Sequence, residues 1–152
     1  MSKEDRLNRF KQISREYSDT SILMHEAIAR KAGLTGTDHK YLGFIMQKGK
    51  MTAGEIAEVT GLTTGAVTGL IDRLEKMNLV KREYDANDRR KVYVVANIKS
   101  AQKLLHPLFA DLWQKTEELI MSFTEKEIGV IERYMKSATK IMNETIIQLK
   151  DE

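Results

Sequence analysis

Along nearly the whole chain, apolar residues recur at spacings of three and four, and the one interval where that rhythm stops, residues 79–96, is short. A three-to-four period stacks side chains on one face of an α-helix, whereas a half-buried strand alternates every second residue. Only one proline, Pro107, stands among the 152 residues, so little interrupts the helices. An all-β sandwich is therefore not expected. The expected fold class is mainly α with a small β-hairpin.

The first segment carries Leu7, Phe10, Ile13, Tyr17, Met24 and Ile28 at helical spacing and ends near Ala32, with Gly33 as its stop. Thr35 and Asp38 mark the start of a second helix, which runs to the Gly49 break. Thr52 and Glu55 form a Thr-x-x-Glu capping box that opens a short third helix, ended by Gly61. A fourth helix opens at Thr63 and runs to about Met77, with Val67, Leu70, Ile71 and Leu74 on its inner face. Two β-like segments follow, 79–84 and 92–96, separated by the polar run DANDRRK. Residues 98–123 carry a further helical stripe, and Thr124 with Glu127 caps a last helix whose apolar positions repeat over three heptads.

The absence of cysteine removes disulfides, thiolate metal sites, cysteine nucleophiles and thiol redox switches together. His25, His39 and His106 are dispersed, with no paired spacing on one helix, so no metal site is expected. No Ser/His/Asp order, phosphate-cradling glycine loop or paired carboxylate stands out, and the chain is not expected to be an enzyme or to carry a cofactor. Its N-terminus is charged where a signal peptide needs an apolar core, and no apolar run approaches the roughly 20 residues of a membrane span. A cytoplasmic protein without membrane contact is the expectation.

The formal charge is only +3, but the basic residues cluster at Arg89, Arg90 and Lys91. Clustering says more about nucleic acid than total charge does. The cluster sits where a short helix, a tight turn at Gly61-Leu62, a second helix and a hairpin follow one another, the order of a winged helix-turn-helix. Such a module lays its second helix in the major groove of a DNA duplex and sets its wing against phosphates or the minor groove. Winged helices also serve as protein-interaction modules, and that alternative stays open here. The outward face of the fourth helix offers Thr63, Thr64, Gly65, Thr68, Gly69 and Arg73 as candidate DNA contacts. Each interior glycine costs a helix about 1 kcal/mol relative to Ala. Either a neighbouring helix packs against that bare face or something large approaches it from outside. For the loop, a calcium site is excluded because Arg89 and Arg90 stand where oxygen ligands belong. A solvated turn and a minor-groove probe remain, the latter with Asp88 bracing Arg90.

The run MTAGEIAEVTGLTTGAVTGLIDRLEKMNLVKREYDANDRRKVYVV (51–95), with Asp88 and Arg90 as the Asp-x-Arg of the wing, resembles the core of the MarR family of bacterial transcriptional regulators. The flanking helices match that family in order and length. The recognition helix departs from it near Thr64 and Gly69, where many members carry an arginine or another bulky polar residue. The resemblance implies a winged helix-turn-helix DNA-binding domain at 35–98 and a helical dimerisation region made from 1–34 and 99–152. It implies a homodimer on a pseudo-palindromic operator, usually a repressor relieved by a ligand held between the dimer helices and the DNA lobe. Excess apolar surface on the terminal helices supports a partner chain independently. With no thiol to oxidise, the expected signal is a small aromatic or lipophilic effector, for which Tyr17, His25 and His39 are candidate pocket residues.

Overall fold

A computed structural model describes residues 2–88 and 90–149. Six helices and three short strands follow in the order α1 (Lys3–Lys31), α2 (Gly36–Lys48), β1 (Lys50–Thr52), α3 (Ala53–Thr60), α4 (Thr64–Lys76), β2 (Val80–Tyr84), β3 (Val92–Ala96), α5 (Ile98–Met121) and α6 (Glu125–Gln148). The mainly helical fold class stands.

Helix boundaries follow local chemistry. The hydroxyls of Thr35, Thr52, Thr63 and Thr124 each accept a hydrogen bond from the amide three residues on, which satisfies a donor that the first helical turn leaves orphaned. At Thr52 and Thr124 the glutamate three residues later reaches back to complete a capping box. Gly61 ends α3 in the left-handed region at φ +71°, a conformation that costs a side-chain-bearing residue about 1–2 kcal/mol. α5 runs through Pro107 as one helix.

The sheet has the order β1-β3-β2 and is antiparallel throughout. Val80 pairs with Ala96 and Tyr84 with Val92, which gives the expected hairpin. Lys50, Met51 and Thr52 pair with Val95, Val94 and Tyr93 as a third strand, where the sequence suggested only a helix start. Three residues are too few to show an alternating pattern, so this strand exists because β3 offers it an edge.

The chain divides into two compact units, one running through Phe109 and the other beginning at Ala110. In the first, a single core gathers Leu42 and Ile45 from α2, Ile56 from α3, Val67, Leu70, Ile71 and Leu74 from α4, and Leu79, Val80 and Val94 from the hairpin. Ala29, Ala32, Leu34 and Ala101 close it at the ends of α1 and α5. The second unit holds the end of α5 and α6, joined through a turn in which Phe123 donates its amide to the Ile120 carbonyl. No residue of α6 is buried in the single chain, and Ile141, Met142, Ile146 and Ile147 are exposed along it. Among the described residues, no helix is long and apolar enough to cross a membrane.

Leu42 is fully buried at the centre of the first core. Leu42→Ala is expected to lower unfolding free energy by about 2–5 kcal/mol, measured by urea denaturation. A loss below about 1 kcal/mol would mean that this core is not what holds α2 in place.

Candidate nucleic-acid interface

The inward apolar face of α4 fixes its outward one. Val67, Leu70, Ile71 and Leu74 lie at helical spacing and are buried, so Thr64, Gly65 and Thr68 stand exposed, with Gly69 half-buried beside them. A Cβ built on Gly65 would meet nothing within 4 Å, and one on Gly69 only the Nη1 end of Arg73 at 3.3 Å. Intrachain packing against a neighbouring helix therefore does not explain these glycines. The Thr63 hydroxyl accepts from the Ala66 amide as the helix cap, and the Thr68 hydroxyl donates to the Thr64 carbonyl at 3.0 Å.

Arg73, a candidate DNA contact in the sequence, is engaged within the fold. Its Nε and Nη2 donate to the two carboxylate oxygens of Asp38 at 2.9 and 2.7 Å, a bidentate pair between α4 and the first turn of α2. The Asp38 side chain is 3% exposed, whereas that of Arg73 is 54% exposed. These hydrogen bonds hold the Arg73 pKa above its ordinary value. The pair thus fixes the recognition helix against α2, and only Nη1 is left beside Gly69.

A second ionic cluster ties the wing to α4. Arg82 on β2 donates to Asp72 at 2.6 Å and to the Glu75 carboxylate, and its amide donates to Glu75 at 3.1 Å. The hydrogen bond to Asp72 is the largest influence raising the Arg82 pKa. Sequence inspection read Asp38 only as a helix-start residue and did not single out Arg82 or Glu75. Nothing in a linear pattern marks which of many acidic and basic residues will meet across a core.

The wing loop is built on aspartates. The Asp85 carboxylate accepts from the Asn87 and Asp88 amides at 2.8 and 3.0 Å, which lowers its pKa. Asp88 accepts from the Arg90 amide and from its Nε, both at 3.1 Å, while the Arg90 side chain remains 92% exposed. This is the bracing arrangement anticipated for the pair. Lys91 stands exposed at the loop's end, and Arg89 lies outside the described residues.

A separate open groove of about 650 Å³ runs along α2, lined by Ile22, His25 and Glu26 of α1, by α2 from Gly36 to Gln47, and by Leu105 of α5. His25 and His39 face each other there with ring centroids 5.6 Å apart, and both rings approach Phe109, His39 in a stacked geometry. Two residues dispersed in sequence are thus neighbours. Tyr17 is not among the lining residues and is 68% exposed on α1. Among the described residues no cluster of three or more His, Asp or Glu side chains suits a metal ion.

Comparison with known proteins places this geometry. The MarR family profile matches residues 32–91. The HTH-type transcriptional regulator YcgE of Bacillus subtilis is 40% identical over 91% of this chain and 90% of its own length. In fold, the chain is similar to a MarR family protein from Bacillus stearothermophilus (TM-score 0.73, 20% identity, 94% of this chain and 99% of the other). It is equally similar to Streptococcus pneumoniae FabT, solved in complex with DNA (TM-score 0.73, 18% identity, 91% and 98%).

Two expectations follow from the electrostatics. Arg73→Ala strands a buried carboxylate and should cost about 3–5 kcal/mol, while Asp38→Asn leaves an arginine that can turn to water and should cost about 1–3 kcal/mol. Chemical denaturation of both variants tests this, and equal losses would refute the burial asymmetry. Burial, followed by the nearby His25, lowers the His39 pKa below its ordinary value of 6.5. The unfolded chain then takes up this proton first, so stability present above pH 6.5 is lost as pH falls below it. The melting temperature should fall between about pH 7.5 and 5.5, and less steeply in His39→Gln; parallel profiles would contradict the assignment.

Proposed function

The chain belongs to the MarR family of transcriptional regulators, and from that membership we propose that it acts as a homodimeric repressor of a pseudo-palindromic operator, released by a small aromatic or lipophilic effector. The observation that carries this reading is the joint presentation of two surfaces. The face of α4 formed by the exposed Thr64, Gly65 and Thr68 with the half-buried Gly69, and the Arg90 finger of the wing, are locked together by Arg82. With α4 in a major groove, Arg90 on its Asp88 brace is suited to the negative potential of an adjacent narrow minor groove.

Residues 35–98 serve as the DNA-binding domain, and residues 1–34 and 99–152 as the dimerisation region. Leu7, Phe10 and Ile13 on α1, with Ile141, Met142 and Ile146 on α6, supply exposed apolar surface that a second chain would bury. Two-fold symmetry then sets the half-sites about 34–36 Å apart, one turn of the duplex. The groove holding His25 and His39 is the place for the effector. It adjoins the first α2 turn, whose Asp38 holds the recognition helix. Action on DNA supports the reading that the protein works in the cytoplasm.

Affinity for duplex DNA is expected to fall with salt at about −0.9 logarithmic units per phosphate contact. Arg90→Ala should weaken it by about 1–3 kcal/mol without altering dimer size in light scattering. Flat, weak binding to every duplex at low salt would instead identify a protein-interaction module.

A further inference from the structure

We propose that Thr68 reads thymine in the major groove through its methyl group, not through its hydroxyl. The inference rests on the DNA-binding reading and states which base chemistry the fourth helix recognises. It proceeds from what the outward face of α4 has left to offer. Asp72 is held by Arg82 at 2.6 Å, and Nε and Nη2 of Arg73 are held by Asp38. The longest polar groups near the centre of the face are therefore committed within the fold. The Thr68 hydroxyl turns back to the Thr64 carbonyl at 3.0 Å, so its proton is also in use. With that proton used, the exposed Thr68 can offer a base edge its methyl group, or its hydroxyl oxygen as an acceptor alone.

A threonine side chain is short and can touch a base edge only if the helix backbone comes close. Gly65 and Gly69 flank Thr68 on the same face; among the described residues nothing lies within 4 Å of a Cβ on Gly65, and one on Gly69 would meet only the Nη1 end of Arg73, at 3.3 Å. Each weakens the helix relative to alanine. Their bare backbone lets α4 settle deeper than a helix carrying side chains at those positions. In the major groove the apolar group on base edges is the C5-methyl of thymine. Contact between that methyl and the Thr68 methyl removes both from water and requires no new hydrogen bond.

The test begins with duplexes that the full-length protein selects from a random pool. Each thymine in the selected site is then replaced by deoxyuridine, which deletes the C5-methyl and leaves every pairing and hydrogen-bonding group in place. At one or more thymines per half-site the replacement should weaken binding about three- to fivefold, the effect of one buried methyl-sized group. Thr68→Val keeps a methyl at that position and loses the hydroxyl; it should bind within about twofold of the parent and remain sensitive to deoxyuridine. Thr68→Ser keeps the hydroxyl and loses the methyl, and should lose about three- to fivefold and become indifferent to the same replacement. Gly65→Ala should melt at a higher temperature yet bind the selected duplex more weakly. Normal binding by Thr68→Ser with loss in Thr68→Val would overturn the proposal in favour of the hydroxyl, and so would deoxyuridine tolerated at every position. Failure to select any duplex would instead reject the DNA-binding reading, and this inference with it.

Discussion

Four side chains on α4, Val67, Leu70, Ile71 and Leu74, hold the arrangement on which the other features depend. Each buried aliphatic side chain stabilises the fold by about 1.5–3 kcal/mol, and together they leave α4 one rotational setting about its axis. Turning the helix by one position would put Thr68 into the core and leave Leu70 in water. With that setting fixed, Thr64, Gly65 and Thr68 must face outward. The hairpin hangs from the same core, because Leu79, Val80 and Val94 are buried against it. Asn78, at φ 56°, makes the sharp exit from α4 in a left-handed conformation that asparagine tolerates better than most residues. Helix and wing therefore share one rigid base.

Ion pairs then refine what the apolar core holds together. Arg73 and Asp38 link α4 to α2, while Arg82 with Asp72 and Glu75 links the wing to α4. The first cluster engages Arg73, which a linear reading offers as a DNA contact. The surface of α4 that remains is short-chained and partly bare, while on the wing Arg90 extends on Asp88 beside the exposed Lys91. A face of that kind favours recognition by close approach and duplex shape over recognition by many long hydrogen-bonding side chains.

Much of this was legible before folding. The caps at Thr35, Thr52, Thr63 and Thr124, the stops at Gly33 and Gly61, the buried face of α4 and the two hairpin strands all rest on interactions within a few residues. Asp88 bracing Arg90 was readable for the same reason, since the pair is two residues apart. The third strand was not, because Lys50–Thr52 is defined by its partner on β3 and has no alternation of its own. Nor was the meeting of His25 with His39, which depends on how α1 packs on α2.

The sequence alone determined the order and ends of the helices, the inward face of α4 and the bracing of the wing, because periodicity, capping and two-residue turns act over distances the chain encodes locally. Only the tertiary structure decided that Arg73 belongs to Asp38, that Arg82 ties wing to helix, that none of the described residues packs on Gly65, and that two separated histidines line one groove. Those outcomes depend on which charged and aromatic groups the core brings within a few ångströms of one another. Burial of apolar surface sets that proximity, and local chain chemistry carries no record of it.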